Sequence, residues 1–258
     1  MKLQILSDLH METEAFEPQP APEAELLVLA GDVDSTWRGL AAFVGWPVPV
    51  LFVPGNHEYD HREIRETGAH LRRECERLGL DMLDDEERLR TGVDGRRIRF
   101  LGSTRWSDFD VFGADQRERA MRAAGYFQRV MNARLEGQPF DADAVRRLGL
   151  ENRAWLAQAL AQAPAEPVDA TVVITHFAPS LKSADPRYGK QPGTASFCND
   201  DEALMPGVDL WIHGHLHCRH DYRISHAAGG STRVLCNARG HGRKGEALGY
   251  QAQRVVEV

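Results

Sequence analysis

Three short apolar runs open the chain, and each stops at a polar or turn-forming residue. Residues 2–7 alternate and then run apolar up to Ser7-Asp8, Leu26 to Ala30 stops at Gly31-Asp32, and Val48 to Val53 stops at Pro54-Gly55-Asn56-His57. Runs this short with such ends predict strands of a sheet covered on both faces. Trp37 to Val44 and Arg62 to Arg77 lie between and after them with helix-forming sequence. Strands alternating with helices predict an α/β fold.

The middle of the chain changes character. Arg96 to Leu101 and Thr171 to Thr175 read as strands, and helix formers dominate the stretch between them. Ala114 to Leu135 and Asp143 to Ala163 carry apolar residues at three- and four-residue spacing, as in Val145, Leu148, Leu156 and Leu160. The second of these is predicted to pack on the sheet. The first, with the Trp106–Gly113 loop, is predicted to form a helical cap or insert at about residues 106–140. Leu210 to His213, His220 to Ser225, Arg233 to Asn237 and Gln251 to Val258 return to strand character, and the glycine-rich turns between them predict antiparallel hairpins. No repeat or long linker divides the chain, and 258 residues approach the upper limit for one core, so a single domain over 1–258 is expected.

Composition narrows the classes. Apolar residues make up 42% and charged residues 27%, the proportions of an ordinary soluble protein. No apolar run approaches the roughly 18 residues of a membrane span. The start lacks the longer apolar region and small-residue cleavage site of a secretory signal, so a cytoplasmic protein is expected. Four cysteines without CxxC spacing fit free thiols in a reducing compartment. A net charge of -7 opposes nonspecific nucleic-acid binding, yet it leaves room for a small anionic substrate whose charge is met locally by bound metal ions.

Five polar blocks carry the chemistry: Asp8-Leu9-His10, Gly31-Asp32, Gly55-Asn56-His57-Glu58, Thr175-His176 and His213-Gly214-His215-Leu216-His217. Taken singly, Asp8 could cap a helix, Asp32 and Asn56 could form turns, and His176 could be a hydrogen-bonded core residue. Five such blocks at five strand ends have no common structural explanation. Ligand sites in layered α/β proteins gather at the carboxyl ends of strands, so the five loops are expected to converge. Asp-x-His and His-x-His each put both side chains on one side of an extended segment. Carboxylates, imidazoles and one amide suit divalent Mn, Fe, Zn or similar ions, and the absence of sulfur ligands argues against a structural zinc ribbon.

In order and spacing, the blocks resemble the calcineurin-like metallophosphoesterase superfamily, with its D-x-H, G-D, G-N-H-D/E, H and G-H-x-H pattern. The resemblance spans nearly the whole chain and implies a four-layer α/β/β/α sandwich of two mixed sheets, here with a helical insert. It implies two divalent metal ions, one held by Asp8, His10 and His217, the other by Asn56, His176 and His215, with Asp32 bridging. His57 would bind no metal and would act as the catalytic acid on a small phosphate-ester substrate, attacked by a hydroxide bridging the metals.

Some positions depart from relatives within that superfamily. The phosphoprotein phosphatases have arginines in G-D-x-V-D-R-G and R-G-N-H-E, where this chain has Gly31-Asp32-Val33-Asp34-Ser35-Thr36 and Val53-Pro54-Gly55-Asn56-His57-Glu58. A dianionic monoester would want that charge, so a phosphodiester is favoured, with a cyclic nucleotide as one form. The aspartate that usually orients the catalytic histidine is replaced by Ser35, leaving the partner of His57 open. Arg105, Asn237, Arg239 and His241 are candidate substrate contacts, and Trp106, Phe109 and Phe112 a candidate aromatic wall or the packing of a cap. The alternatives are a phosphomonoesterase, acting on a small molecule or a phosphoprotein, and a non-catalytic interaction scaffold.

Overall fold

The computed structural model describes residues 1–258. In chain order its regular elements are β1 (Lys2–Leu6), β2 (Leu26–Ala30), β3 (Val50–Val53), α1 (Ile64–Leu78), β4 (Asp81–Met82), β5 (Glu86–Thr91), β6 (Arg97–Ser103), α2 (Arg117–Ala123), β7 (Arg134–Leu135), β8 (Gln138–Pro139), α3 (Ala142–Ala161), β9 (Ala170–Thr175), β10 (Leu210–His213), β11 (Arg219–Ser225), β12 (Ser231–Asn237) and β13 (Val255–Glu257). Trp37 to Val44 forms a 3-10 turn over Arg38–Phe43 in place of a regular helix.

Two mixed sheets form. One runs β13-β1-β2-β3-β4, parallel except for β13; the other runs β11-β12-β10-β9-β6-β5, antiparallel only at its two edges. The chain's last third was therefore expected too simply as hairpins. β11 and β12 do form one, but β12 pairs parallel to β10, so that β11 lies beyond β12 at the edge of the sheet.

Core packing orders the layers. Leu3, Ile5, Val28 and Leu51 of the first sheet share a cluster with Phe100, Val172, Ile174 and Ile212 of the second, so these faces meet. The opposite face of the first sheet, with Leu27, Leu29 and Phe52, packs on Leu71, Cys75 and Leu78 of α1. Leu101, Val173, Trp211 and Val234, on the outer face of the second sheet, pack on Leu156 and Ala159 of α3. Strands buried on both faces read as continuous apolar runs, which is why most could be found from sequence. β5, with sequence EERLRT and no fully buried residue, is a half-solvated edge strand and gave no such signal.

The insert departs from expectation. Ala114 to Leu135 is not one helix: α2 ends at Ala123, Gly125 follows, a single π turn spans Phe127–Met131, and Asn132 takes a left-handed φ of 47° into the small β7–β8 hairpin. Glycine weakens the helix interior. The apolar residues then divide differently, with Phe127 and Met131 joining Trp106, Phe109, Phe140 and Phe177 in a separate core beneath the insert. Trp106 and Phe109 are therefore packing, and they form no wall for a substrate.

Candidate metal centre

Asp8, Asp32 and Asn56 each lie two or three residues beyond the ends of the parallel strands β1, β2 and β3, while His176 and His215 follow β9 and β10. The carboxyl ends of strands from both sheets thus bring all five blocks together. The local geometry is not the extended one that Asp-x-His suggested. Asp8, His10, Asp32, His215 and His217 all adopt left-handed φ values, of 52°, 46°, 52°, 73° and 51°. For residues with a Cβ such backbone is costly and is retained where surroundings enforce it, often at functional sites. Crowding explains the preceding glycines. A side-chain carbon at Gly55 would fall on Asp32 Oδ1 and His176 Cε1, and one at Gly31 would fall on His176 Nδ1.

Besides His10, His217 and His241, which form an overlapping third cluster, ligand-type atoms converge in two groups that could each hold a metal ion: Asp8, His10, Asp32 and His217, and Asp32, His176 and His215. Asp32 belongs to both. The Asn56 Oδ1 atom lies 3.2 Å from His176 Nε2, beside the second group. The outer nitrogens are anchored: His10 Nδ1 is 3.0 Å from Glu12, His217 Nδ1 is 2.7 Å from Glu246, and His176 Nδ1 is 2.9 Å from the Ala30 carbonyl. Each contact fixes a proton on Nδ1 and turns a bare Nε2 inward, the arrangement that metal-ligating histidines show. His215 is held the other way round, with Nε2 donating to the Ser196 carbonyl at 3.1 Å and Nδ1 left free.

Two further observations favour cations here. Asp8 Oδ2 and Asp32 Oδ2 are buried and accept no well-aligned hydrogen bond, Asp32 Oδ2 meeting only His176 Nε2 at 3.1 Å, although their companion oxygens accept the backbone N–H groups of His215 and His57 at 2.8 Å. His10 Nε2 and His217 Nε2 face each other at 3.0 Å. Unpaired buried carboxylate oxygens and opposed imidazole lone pairs are costly unless positive charge lies between them. Burial depresses His215 well below its ordinary value, which favours the neutral imidazole that a metal ion would bind. The donor set of imidazole nitrogen, carboxylate and amide oxygen fits borderline divalent ions.

His57 lies beside these groups and belongs to neither. Its missing partner is Asp60, whose Oδ2 lies 2.7 Å from His57 Nδ1 across the 3-10 turn His57–Tyr59. Asp34 instead accepts from Thr36 and Gly39 and closes its own turn. Burial lowers the His57 pKa, but the Asp32 charge and the Asp60 hydrogen bond overcome it and raise it to about 9. Glu58 is wholly buried and accepts the backbone N–H groups of Asp32, Val33 and Gly55 at 3.0, 2.8 and 2.7 Å. It laces the loops after β2 and β3 into one unit.

The other candidates separate cleanly. Arg105 is fully buried, held by Asp108 and Asp201 and by the carbonyls of Trp106 and Gly149. Arg239 bonds Glu14 and the Leu9 carbonyl, and Asn237 bonds the carbonyls of Ile5 and Gln251. These three are structural. His241, carried by the loop after β12, does reach the centre, its ring centroid 4.4 Å from that of His10. His213 is buried against Ser183 at 2.8 Å, away from both groups. Glu12 and Asp60 lie two and three residues from His10 and His57, a spacing that is a local signal for both; Tyr126 and Glu246 are remote in sequence and carry none.

The centre opens into a cleft of about 530 Å³, whose lining includes His57, Tyr126, Phe197 and His241 together with Arg187, Tyr188 and Lys244. The calcineurin-like phosphoesterase family matches residues 1–219, and the chain belongs to that family, whose members are metal-dependent phosphoric ester hydrolases. Among solved structures it is similar to the phosphopantetheinyl hydrolase of Mycobacterium tuberculosis, at 18% identity over 99% of this chain and 95% of that one, with a TM-score of 0.74. It also matches a dimetal phosphatase from Danio rerio, at 14% identity over 91% and 86% of the two chains and a TM-score of 0.48. A calcineurin-like phosphoesterase, YfkN, from Bacillus subtilis matches at 11% identity over 92% and 80%, with a TM-score of 0.42. No curated protein matches the chain. No helix is long and apolar enough to cross a membrane, and all four cysteines are free.

Proposed function

We propose that the chain is a two-metal phosphodiesterase, with Asp8, His10, Asp32 and His217 holding one ion and Asp32, Asn56, His176 and His215 the other. Two divalent ions bound there would supply positive charge to the phosphoryl oxygens and activate a water for attack on phosphorus. The chain's own residues do the remainder. His57 delivers a proton to the departing ester oxygen, and Asp60 holds its ring and offsets its charge. Glu58 keeps Asp32 and Asn56 in register by fixing the backbone of both loops.

The preference for a diester rests on one observation: the cleft has no free arginine. Arg187, the one arginine of the lining, is turned onto Asp185 at 2.7 Å, and Lys244 is the lining cation without a carboxylate partner; Arg62, outside the lining, is spent on the carbonyls of Ser35 and Asp60. A dianionic monoester would meet Asp185 and Glu246 along the walls with little to balance them. A phosphopantetheinyl group joined to a hydroxyl is also a phosphodiester, so the activity in the Mycobacterium tuberculosis protein's name is compatible with this reading. The free thiols support a cytoplasmic setting. The test compares kcat/KM for bis(p-nitrophenyl) phosphate and p-nitrophenyl phosphate with Mn²⁺. The diester is expected to be the faster; a monoester rate far above it would overturn the preference.

A further inference from the structure

Tyr126 projects from the insert into the centre, at the junction between α2 and the π turn Phe127–Met131. π turns frequently mark functional positions. Its hydroxyl lies 2.7 Å from His57 Nε2 and 3.2 Å from Asn56 Nδ2. Its ring packs against Phe127 and Phe197 at centroid distances of 5.4 and 6.3 Å, and meets His57 edge-on at 6.1 Å. Resting on the phosphoesterase reading above, we propose that Tyr126 is a positioning residue that holds both His57 and the Asn56 amide in their working orientations.

Two geometric consequences carry this. With Asp60 on Nδ1 and Tyr126 on Nε2, both ring nitrogens of His57 are pinned, so the imidazole cannot rotate away from the cleft. A hydroxyl both donates and accepts. It can therefore accept from Nε2–H while the cleft is empty, yield that hydrogen to the ester oxygen as His57 protonates it, and donate its own O–H to the bare nitrogen afterwards. Tyr126 keeps its own proton throughout, and burial raises its pKa, which favours the neutral phenol. The second consequence concerns Asn56. Its Nδ2 donates to the Tyr126 oxygen, which turns Oδ1 toward His176 Nε2, into the second group. Reversing the amide would aim an NH₂ at the place where a cation belongs. A residue 69 positions beyond His57 thus seats the insert on the centre and sets two side chains at once.

Tyr126→Phe in the full-length protein isolates the hydroxyl, because the ring and its aromatic contacts remain. With Mn²⁺ and bis(p-nitrophenyl) phosphate, kcat is expected to fall roughly 5- to 20-fold while KM stays within about twofold. In the metal-free protein, the ¹⁵N resonance of His57 Nε2 should move. The weaker-binding Mn²⁺ equivalent should bind roughly tenfold less tightly by calorimetry, and the melting temperature should be unchanged. An unchanged kcat, ¹⁵N resonance and Mn²⁺ affinity would reduce Tyr126 to packing and overturn the proposal, as would a large fall in melting temperature accompanying the other changes. If wild-type protein hydrolyses no phosphate ester at all, the enzymatic reading fails, and the ¹⁵N and Mn²⁺ measurements still judge Tyr126 alone.

Discussion

Arg105 and Asp32 make an instructive pair. Each follows the end of a central strand, each is buried, and each sits in nearly the same left-handed backbone, with φ of 51° and 52°. Around Arg105 every donor is used: Nε and one Nη meet Asp201 and Asp108, and the other Nη meets two carbonyls. Around Asp32 one carboxylate oxygen accepts no well-aligned hydrogen bond and meets only His176 Nε2, at 3.1 Å, and the neighbouring Asp8 has a bare oxygen of its own. Burial, charge and backbone strain are common to both, so none of them distinguishes a site from a strut. The convergence of unsatisfied atoms does, because two underpaired carboxylate oxygens beside the opposed Nε2 atoms of His10 and His217 call for a shared partner from outside the protein.

Substitutions can break that contrast at either end. The largest effect is expected from Asp32→Asn, which should remove activity and weaken both metal positions, read as turnover and bound Mn²⁺. Next comes His57→Ala. Turnover should fall by roughly 10²–10⁴ with metal content intact; equal metal loss in both variants would show that His57 is itself a ligand. Arg105→Met strips the counter-charge from Asp108 and Asp201, and is expected to cost about 3–5 kcal/mol of unfolding free energy while the folded fraction still binds metal. Glu246→Gln removes the negative charge behind His217 Nδ1, where one carboxylate oxygen now serves both that nitrogen and the His241 backbone N–H, and should weaken Mn²⁺ binding roughly 10- to 100-fold. His70→Ala, on the exposed face of α1, should change neither rate nor stability by more than about 0.5 kcal/mol.

The same contrast explains how far the sequence could be read. Strands buried on both faces announce themselves as apolar runs, and polar blocks at their ends announce a shared cleft. Arg105 and Arg239 also follow strands, yet their role depends on Asp201 and Glu14, 96 and 225 positions away, which no local pattern reveals. Tyr126 was hidden for a related reason. In sequence it belongs to one helical stretch, and only the break at Gly125 and the π turn beyond it aim the ring at His57. Asp60 was nearer to hand. It takes the orienting role vacated at Ser35 from the other side of His57, through a tight turn that three-residue spacing makes possible.

The most direct test of the central claim is a titration of metal-stripped wild-type protein with Mn²⁺, following heat and bound metal together. Two equivalents per chain, one of them lost or both weakened in Asp32→Asn and neither in Arg105→Met, is the predicted result. Less than about one equivalent in the wild type, with no phosphate-ester hydrolysis gained on adding Mn²⁺, would contradict it.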